Sequence, residues 1–472
     1  MGIHEECGVI GIYEPRTGDI AHDAYLGLYA LQHRGQESCG IVVCDDGVFC
    51  EAKDMGLVSE VFDESRLRSL STGNMAIGHV RYSTTGTNSY ANIQPLTVRH
   101  TKGNLAIAHN GNLVNSYELR HDFELSGAIF RGTSDTEAMA YTIVSERLRV
   151  GSTSAAVINA MKRIKGAYSC VVMTATKLIA FRDEIGFRPL CIGRTASGGY
   201  AVASESCALD AMGARFVRDI APGEVVEIGE DGISTFTDNC KNRGRICVFE
   251  YIYFARPDSV IEGASVHEAR QKAGELLAKK HPVDADIVIG VPDSGIDAAL
   301  GYAKESGIPF GLGFVKNKYI GRSFIEPDGA SRRDAVNIKL NAIKSNIEGK
   351  RVVMVDDSIV RGTTSEKIVR LLRRAGAREV HIRISSPPFR FPCYFGTDID
   401  SQENLIACKY KSVKEIAKSI GVDSLGYLEL SDVHHLAETS SCGFCDGCFS
   451  GNYPVNPPRF TGKDRFEERI HK

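Results

Sequence analysis

At 472 residues the chain is too long for one ordinary hydrophobic core, so two or three domains are expected. Apolar residues make up 43% and charged residues 24%, the proportions of a soluble globular protein. A net charge of −3 argues against a basic field for nucleic acid or a polybasic membrane patch, and no apolar run is long enough to span a bilayer. Residues 1–6 are acidic and lack the apolar centre of a signal peptide. Gly2 would suit myristoylation, but residue 6 is Glu where that signal needs Ser or Thr. A cytoplasmic protein is expected, with its 14 cysteines mostly reduced.

Up to about residue 236, short β-like runs at 7–13, 76–80, 105–108, 168–173 and 201–204 are separated by glycine turns. Helical stretches at 134–147 and 153–164 interrupt them, an α+β pattern. Cys7 opens the first run. A cysteine there is, by itself, more often a small buried hydrophobe than a nucleophile. Four motifs follow it: His33-Arg34-Gly35-Gln36, Gly78-His79-Val80-Arg81-Tyr82-Ser83-Thr84, Ala108-His109-Asn110-Gly111-Asn112 and Ser134-Asp135-Thr136-Glu137. The polar stretch 238–245 reads as a linker. Past it, strands at 287–291, 352–355 and 379–384 alternate with helices, which implies βαβ units and a parallel sheet.

The strand ending at Val355 runs into Asp356-Asp357, where ligands bind in open α/β sheets. Ser358-Ile359-Val360-Arg361-Gly362-Thr363-Thr364 then lead into a helix whose apolar residues Ile368, Leu371, Leu372 and Ala375 recur at i, i+3, i+4 and i+7. Thr363 and Glu366 have capping-box spacing, and Gly376 is placed to stop the helix. Free helix N–H groups, hydroxyls and an arginine make a seat for a phosphate. The two carboxylates can accept from a pair of ribose hydroxyls or hold a hydrated Mg2+. Solvated caps are the plainer reading of a bare Asp-Asp-Ser; the whole run points to a sugar phosphate. Near the C-terminus, Cys442-Gly443-Phe444-Cys445-Asp446-Gly447-Cys448 suggests a metal, and its spacing suits zinc or an iron–sulfur cluster equally. Cys170, Cys191 and Cys207 sit in apolar runs and read as core.

Residues 352–364 closely resemble the 5-phosphoribosyl-1-diphosphate (PRPP) loop of type I phosphoribosyltransferases. That resemblance implies that Asp356 and Asp357 contact the ribose hydroxyls and Mg2+, while Ser358, Arg361, Gly362, Thr363 and Thr364 wrap the 5-phosphate. Residues 291–295 resemble the diphosphate loop, with Ser294 near the Mg2+. The basic stretch 316–341, including Arg322, resembles a loop that closes over PRPP; a solvated face is the alternative. The Cys7 motifs resemble the glutamine amide-transfer domain of N-terminal-nucleophile hydrolases, a layered α+β sandwich. The implied roles are Cys7 as nucleophile with its own α-amine as base, and Arg81 and Asp135 on the α-carboxylate and α-ammonium of glutamine. Asn110 and the Gly111 N–H would form the oxyanion hole. A free amine requires removal of a propeptide, residues 1–6, by cleavage between Glu6 and Cys7. A permanently extended chain would be a dead glutaminase.

In series, these halves are similar to the glutamine PRPP amidotransferase family, in its propeptide-containing, iron–sulfur branch. The implied domains are 7–236, the α+β glutaminase, and 237–472, the α/β type I phosphoribosyltransferase with a C-terminal cluster segment. Residues 249–259 match the family's interdomain segment. The implied [4Fe–4S] ligands are Cys247, Cys393, Cys445 and Cys448, with Cys442 a neighbour and the cluster a structural staple. The implied reaction, the first of de novo purine synthesis, passes ammonia from glutamine internally to PRPP, giving 5-phosphoribosylamine, glutamate and diphosphate. Purine nucleotides as inhibitors and a homotetramer are implied with it. Two alternatives are a sister amidotransferase, which would lack the 355–358 run, and a non-catalytic PRPP or nucleotide-sensing regulator. A sensor would have little reason to keep Cys7, Arg81, Asn110 and Asp135 together.

Overall fold

The computed structural model describes residues 6–70, 72–82, 89–241, 243–317, 340–397, 399 and 401–458. Two antiparallel sheets build its N-terminal part. One has seven strands, with Gly8–Gly18 central between Tyr200–Ala203 and Gly73–Arg81; the other has six and pairs Gly103–Leu113 with Gly166–Met173. Strand alternation sorts each sheet's residues into two cores. Ile10 and Ile12 pack on the helices Ile20–Ala30 and Ser206–Ala211, whereas Val9 and Tyr13 meet Ala106, Ala108 and Val171 of the facing sheet. On the far side, Ile107, Tyr168 and Cys170 pack on Asp135–Arg147 and Thr153–Arg163. The result is a helix–sheet–sheet–helix sandwich. Gly11 lets its two sheets close, because a Cβ there would come 2.7 Å from Val171 Cγ1.

Four parallel strands form the second core, in the order Ile287–Gly290, Arg351–Asp356, Glu379–Ile384 and Ser424–Tyr427. Parallel strands are covered on both faces, which is why their runs are continuously apolar. Val288, Val353 and Val355 meet the helices Val266–Lys280 and Gly295–Ser306, while Ile289, Val352 and Met354 meet Thr363–Arg374 and Val413–Ile420. Arg245–Cys247, just after the expected linker, pairs in parallel with Gly443–Cys445, so the end of the described chain returns to the junction between the halves.

One local expectation fails. Thr363 does not cap the 363–374 helix: Gly362, at φ 84°, is the N-cap residue, and no side chain caps it. The loop enters in a left-handed conformation that glycine adopts at little cost, so Thr363 becomes the first helical residue and stays exposed. Gly376, at φ 94°, ends the helix as expected. No described helix is long and apolar enough to cross a membrane.

Candidate active sites

Strand register builds the first site. Gly8 lies opposite Val80, so the antiparallel ladder sets Cys7 beside Arg81. By alternation Cys7 shares a face with Val9 and Arg81 shares one with His79, and that face looks at the six-stranded sheet. His79 Nε2 lies 3.0 Å from the His109 carbonyl oxygen across the gap. From the other side Asn110 is in step with Ala106 and Ala108, so it projects into the same space. Asn110 is 1% exposed, and neither its Oδ1 nor its Nδ2 has a hydrogen-bond partner among the described residues. An unpaired buried amide costs about 1–3 kcal/mol, which points to an absent ligand. Gly111 follows at φ 143°, where a Cβ would come 2.1 Å from the Ala167 carbonyl oxygen. Asp135 opens its helix, accepts from the Leu113 N–H at 2.9 Å and stands 3.7 Å from His109 Nδ1.

The Cys7 thiol donates to the Tyr82 carbonyl at 3.3 Å, and burial pushes it up to about 11 despite the nearby Arg81 charge. Behind it lies a fully buried ionic cage. Arg34 donates to the Cys7 carbonyl at 3.0 Å, to Glu205 at 2.7 Å and, with both terminal nitrogens, to Glu250 at 2.9 Å. Arg188 approaches Glu250 at 3.3 Å and donates to the Phe395 carbonyl at 2.7 Å. Burial alone would raise the Glu205 carboxyl, but His33 and Arg34 hold it well below the usual carboxylate range.

The second site sits where the parallel strands end. Gly290 and Val355 are ladder partners, so the loops that follow them emerge side by side. A Cβ on Gly295 would lie 2.5 Å from the Val355 carbonyl oxygen, so only a bare backbone allows this approach. Asp356 and Asp357 are each 8% exposed, which rules out solvated caps. Burial pushes both carboxyls up, Asp356 further through the neighbouring Asp357 charge, while hydroxyl bonds from Ser294 and Ser358 restrain Asp357. Arg361, Thr363 and Thr364 are exposed around the mouth. Arg270, buried in the helix below, donates to the Tyr251, Tyr253 and Ala255 carbonyls, and its charge also draws Asp357 down.

A third cluster lies between the halves. Cys247 and Cys445 are partners in the short parallel ladder, and with Cys393 and Cys448 they line one apolar cavity floored by Phe249 and Phe389. Burial pushes Cys445 up to about 12 and holds Cys247 and Cys448 well above the ordinary thiol value. Cys442 is not part of this cavity; it sits beside Ser440 at 3.7 Å. Among the described residues no three His, Cys, Asp or Glu side chains meet closely enough to chelate a single ion.

Two regions match known domain families: residues 79–211 a glutamine amidotransferase domain and residues 262–386 a phosphoribosyl transferase domain. The chain is 47% identical to the amidophosphoribosyltransferase of Methanocaldococcus jannaschii over 97% of its own length and 100% of the relative's. It is also 47% identical to that of Bacillus subtilis, over 96% and 95%. The chain belongs to the amidophosphoribosyltransferase family. Members are glycosyltransferase-type enzymes that catalyse the first step of purine biosynthesis. A solved glutamine PRPP amidotransferase from B. subtilis, in complex with ADP and GMP, superposes with a TM-score of 0.90 at 45% identity, covering 98% of this chain and 100% of that one.

Within this family fold, Cys7 and Arg81 end neighbouring strands of one sheet, Asn110 and Gly111 lie in the facing sheet with Asp135 bonded to its Leu113 N–H, and Ser294 meets Asp357 at the second site. Arg322 and most of the basic stretch 316–341 lie outside the described residues, as do Ser83 and Thr84. Sequence reasoning gave no role to Arg34, Arg188, Glu205, Glu250 or Arg270. Arg34 and Glu250 lie within motifs that were read for other reasons. For Arg188 the one available signal was a charge set among apolar neighbours, Phe187 and Leu190.

Proposed function

We propose that this chain carries out the family reaction through a mature, N-terminal Cys7. The observation that carries the reading is the buried, unpaired Asn110 amide facing the Cys7–Arg81 edge. A thiol held at about 11 and bonded to a carbonyl is protonated at neutral pH, so the extended chain has no nucleophile. Removal of residues 1–6 would give an amine of ordinary pKa about 8 next to the sulfur, free to take its proton. The thiolate attacks the glutamine carboxamide with Arg81 and Asp135 on the amino-acid head. Asn110 and the Gly111 N–H receive the oxyanion. Ammonia leaves, water releases glutamate from the thioester, and the ammonia passes inside the protein to C1 of PRPP, displacing diphosphate.

At the second site Asp356 and Asp357 orient the ribose, and Ser358, Arg361, Gly362, Thr363 and Thr364 take the 5-phosphate at a helix start. Arg322 belongs to the proposed covering loop. Oxygen donors from Ser294, Asp356 and Asp357 fit Mg2+, which takes much of its shell from water and diphosphate and so needs few protein ligands. When bound, it would neutralise the leaving diphosphate. Cys247, Cys393, Cys445 and Cys448 fit a [4Fe–4S] cluster. The four sulfurs line one apolar cavity, and a cluster held there would tie 247 to 448. We assign the propeptide to 1–6 and the domains to 7–236 and 237–472. Purine nucleotide inhibitors, a cytoplasmic homotetramer and no nucleic-acid or membrane partner complete the reading. A PRPP-sensing regulator would have no use for the Asn110 amide.

Protein purified without oxygen tests this directly. A denatured mass starting at Cys7, a native mass heavier by four irons and four sulfides, and glutamine-dependent release of diphosphate from PRPP are expected. A chain that still carries residues 1–6 and nonetheless uses glutamine would sink the Cys7 mechanism.

A further inference from the structure

Glu6 is the one residue of the expected leader that is described, and it is 1% exposed. Its carboxylate forms an ion pair with Arg188, lies 3.9 Å from Arg34 and accepts from Thr397 Oγ1 at 3.1 Å. Thr397 comes from the far half of the chain, in a loop held against Arg188 through the Phe395 carbonyl and through Gly396. On Gly396, at φ 120°, a Cβ would come 3.0 Å from the Arg188 guanidinium. Arg34, meanwhile, grips the Cys7 carbonyl. The residues on both sides of the expected cut are therefore clamped by one rigid cage, although leaders are ordinarily exposed and loosely held.

Charge points the same way. Two guanidinium ions, Arg34 and Arg188, already face the carboxylates Glu205 and Glu250, and His33 pairs with Glu205 at 2.8 Å. Glu6 is a third carboxylate there, and burial pushes it up to about 7 despite both arginines.

We propose that Glu6 is the positioning residue for maturation: docked between Arg188 and Thr397, its side chain fixes the Glu6–Cys7 peptide for cutting and then departs with the leader. This rests on the reading that residues 1–6 are removed. The step consumes one water: its hydroxyl joins the Glu6 carbonyl carbon, the C–N bond breaks, and its remaining hydrogen goes to the Cys7 nitrogen.

The test follows full-length precursors after synthesis by intact mass, scoring the fraction that begins at Cys7. Glu6→Gln keeps the acceptor for Thr397 and should mature nearly as fast as the native chain. Glu6→Ala should mature roughly tenfold or more slowly, the scale expected when a reacting bond loses its alignment. Ammonia-dependent turnover at the second site should be unchanged in both and serves as the folding control. Once cut, the variants are the same protein and should use glutamine equally. Maturation of Glu6→Ala at the native rate overturns the proposal and leaves the Cys7 mechanism standing. A chain starting Met-Cys7, trimmed by the host to Cys7, separates the two ideas. If it uses ammonia but not glutamine, the Cys7 mechanism falls and this inference with it.

Discussion

The two sites differ in how their chemistry is supported. Around Cys7 the proposed site groups stand on strands of two facing sheets, with Asp135 at the start of a helix behind one of them, and are almost wholly buried and placed by register. At Asp356 the groups stand on loops at strand ends, with carboxylates buried but hydroxyls and Arg361 open to solvent. A cleavable amide carries little charge, so its site can be dry and preformed, with donors aimed where charge will develop. PRPP brings a large negative charge that must enter from water, which suits the exposed Arg361, Thr363 and Thr364 at a helix start. The sandwich site carries its cost as an unpaired amide and the parallel-sheet site as two raised carboxyls.

This contrast can be broken most sharply at Cys7. Cys7→Ala should lower glutamine-dependent turnover by at least about 10³-fold, the usual scale for a lost nucleophile, yet leave ammonia-dependent turnover intact. Equal loss with both nitrogen sources would mean that the sites are not separable. Next in size, Asn110→Ala should lower the glutaminase kcat by roughly 10²–10³-fold, as for other oxyanion donors, with a thermal midpoint no lower than that of the native chain, since its amide bonds to nothing described.

Asp356→Asn sharpens the comparison from the other side. It should impair turnover with both nitrogen sources, by on the order of 10²-fold, through lost ribose alignment. The ligand-free variant should also melt higher than the native chain at neutral pH. The sign follows from the raised carboxyl: the fold favours its protonated form. That contribution is complete below the ordinary carboxylate value and is lost as pH climbs through the raised one. The variant's advantage should therefore vanish in acid; an advantage that persists there has another cause. The smallest effect belongs to Thr363→Ala, expected to change stability by less than about 0.5 kcal/mol because Gly362 is the cap residue. Ser265→Ala, which removes a side-chain bond to the Glu268 N–H, should cost about 1 kcal/mol. Chemical denaturation of the two variants side by side would settle the ranking.

Much of this was legible in the residues. The run 379–384 and the helical stretches 134–147 and 153–164 lie within a residue of the observed elements. The Asp356-Asp357 loop announces its own place, because a continuous apolar run that ends in carboxylates can hardly be anything but the mouth of a parallel sheet. Thr363 was misread because capping spacing is a local signal, whereas the entry angle of the loop is set by Gly362. The cage of Arg34, Arg188, Glu205 and Glu250 left no local trace, since its members lie far apart in the chain and ion pairing has no periodicity.

The sequence by itself determined the two architectures and set the Asp356-Asp357 run at a strand end, because strand alternation, helix period and contiguous motifs act over a few residues. The tertiary structure alone decided which of the clustered cysteines share a cavity, that Asn110 is buried with no hydrogen-bond partner among the described residues, and that Glu6 is held by residues from both halves. Those facts depend on which distant segments are packed together, and burial then sets the charge state of whatever meets there.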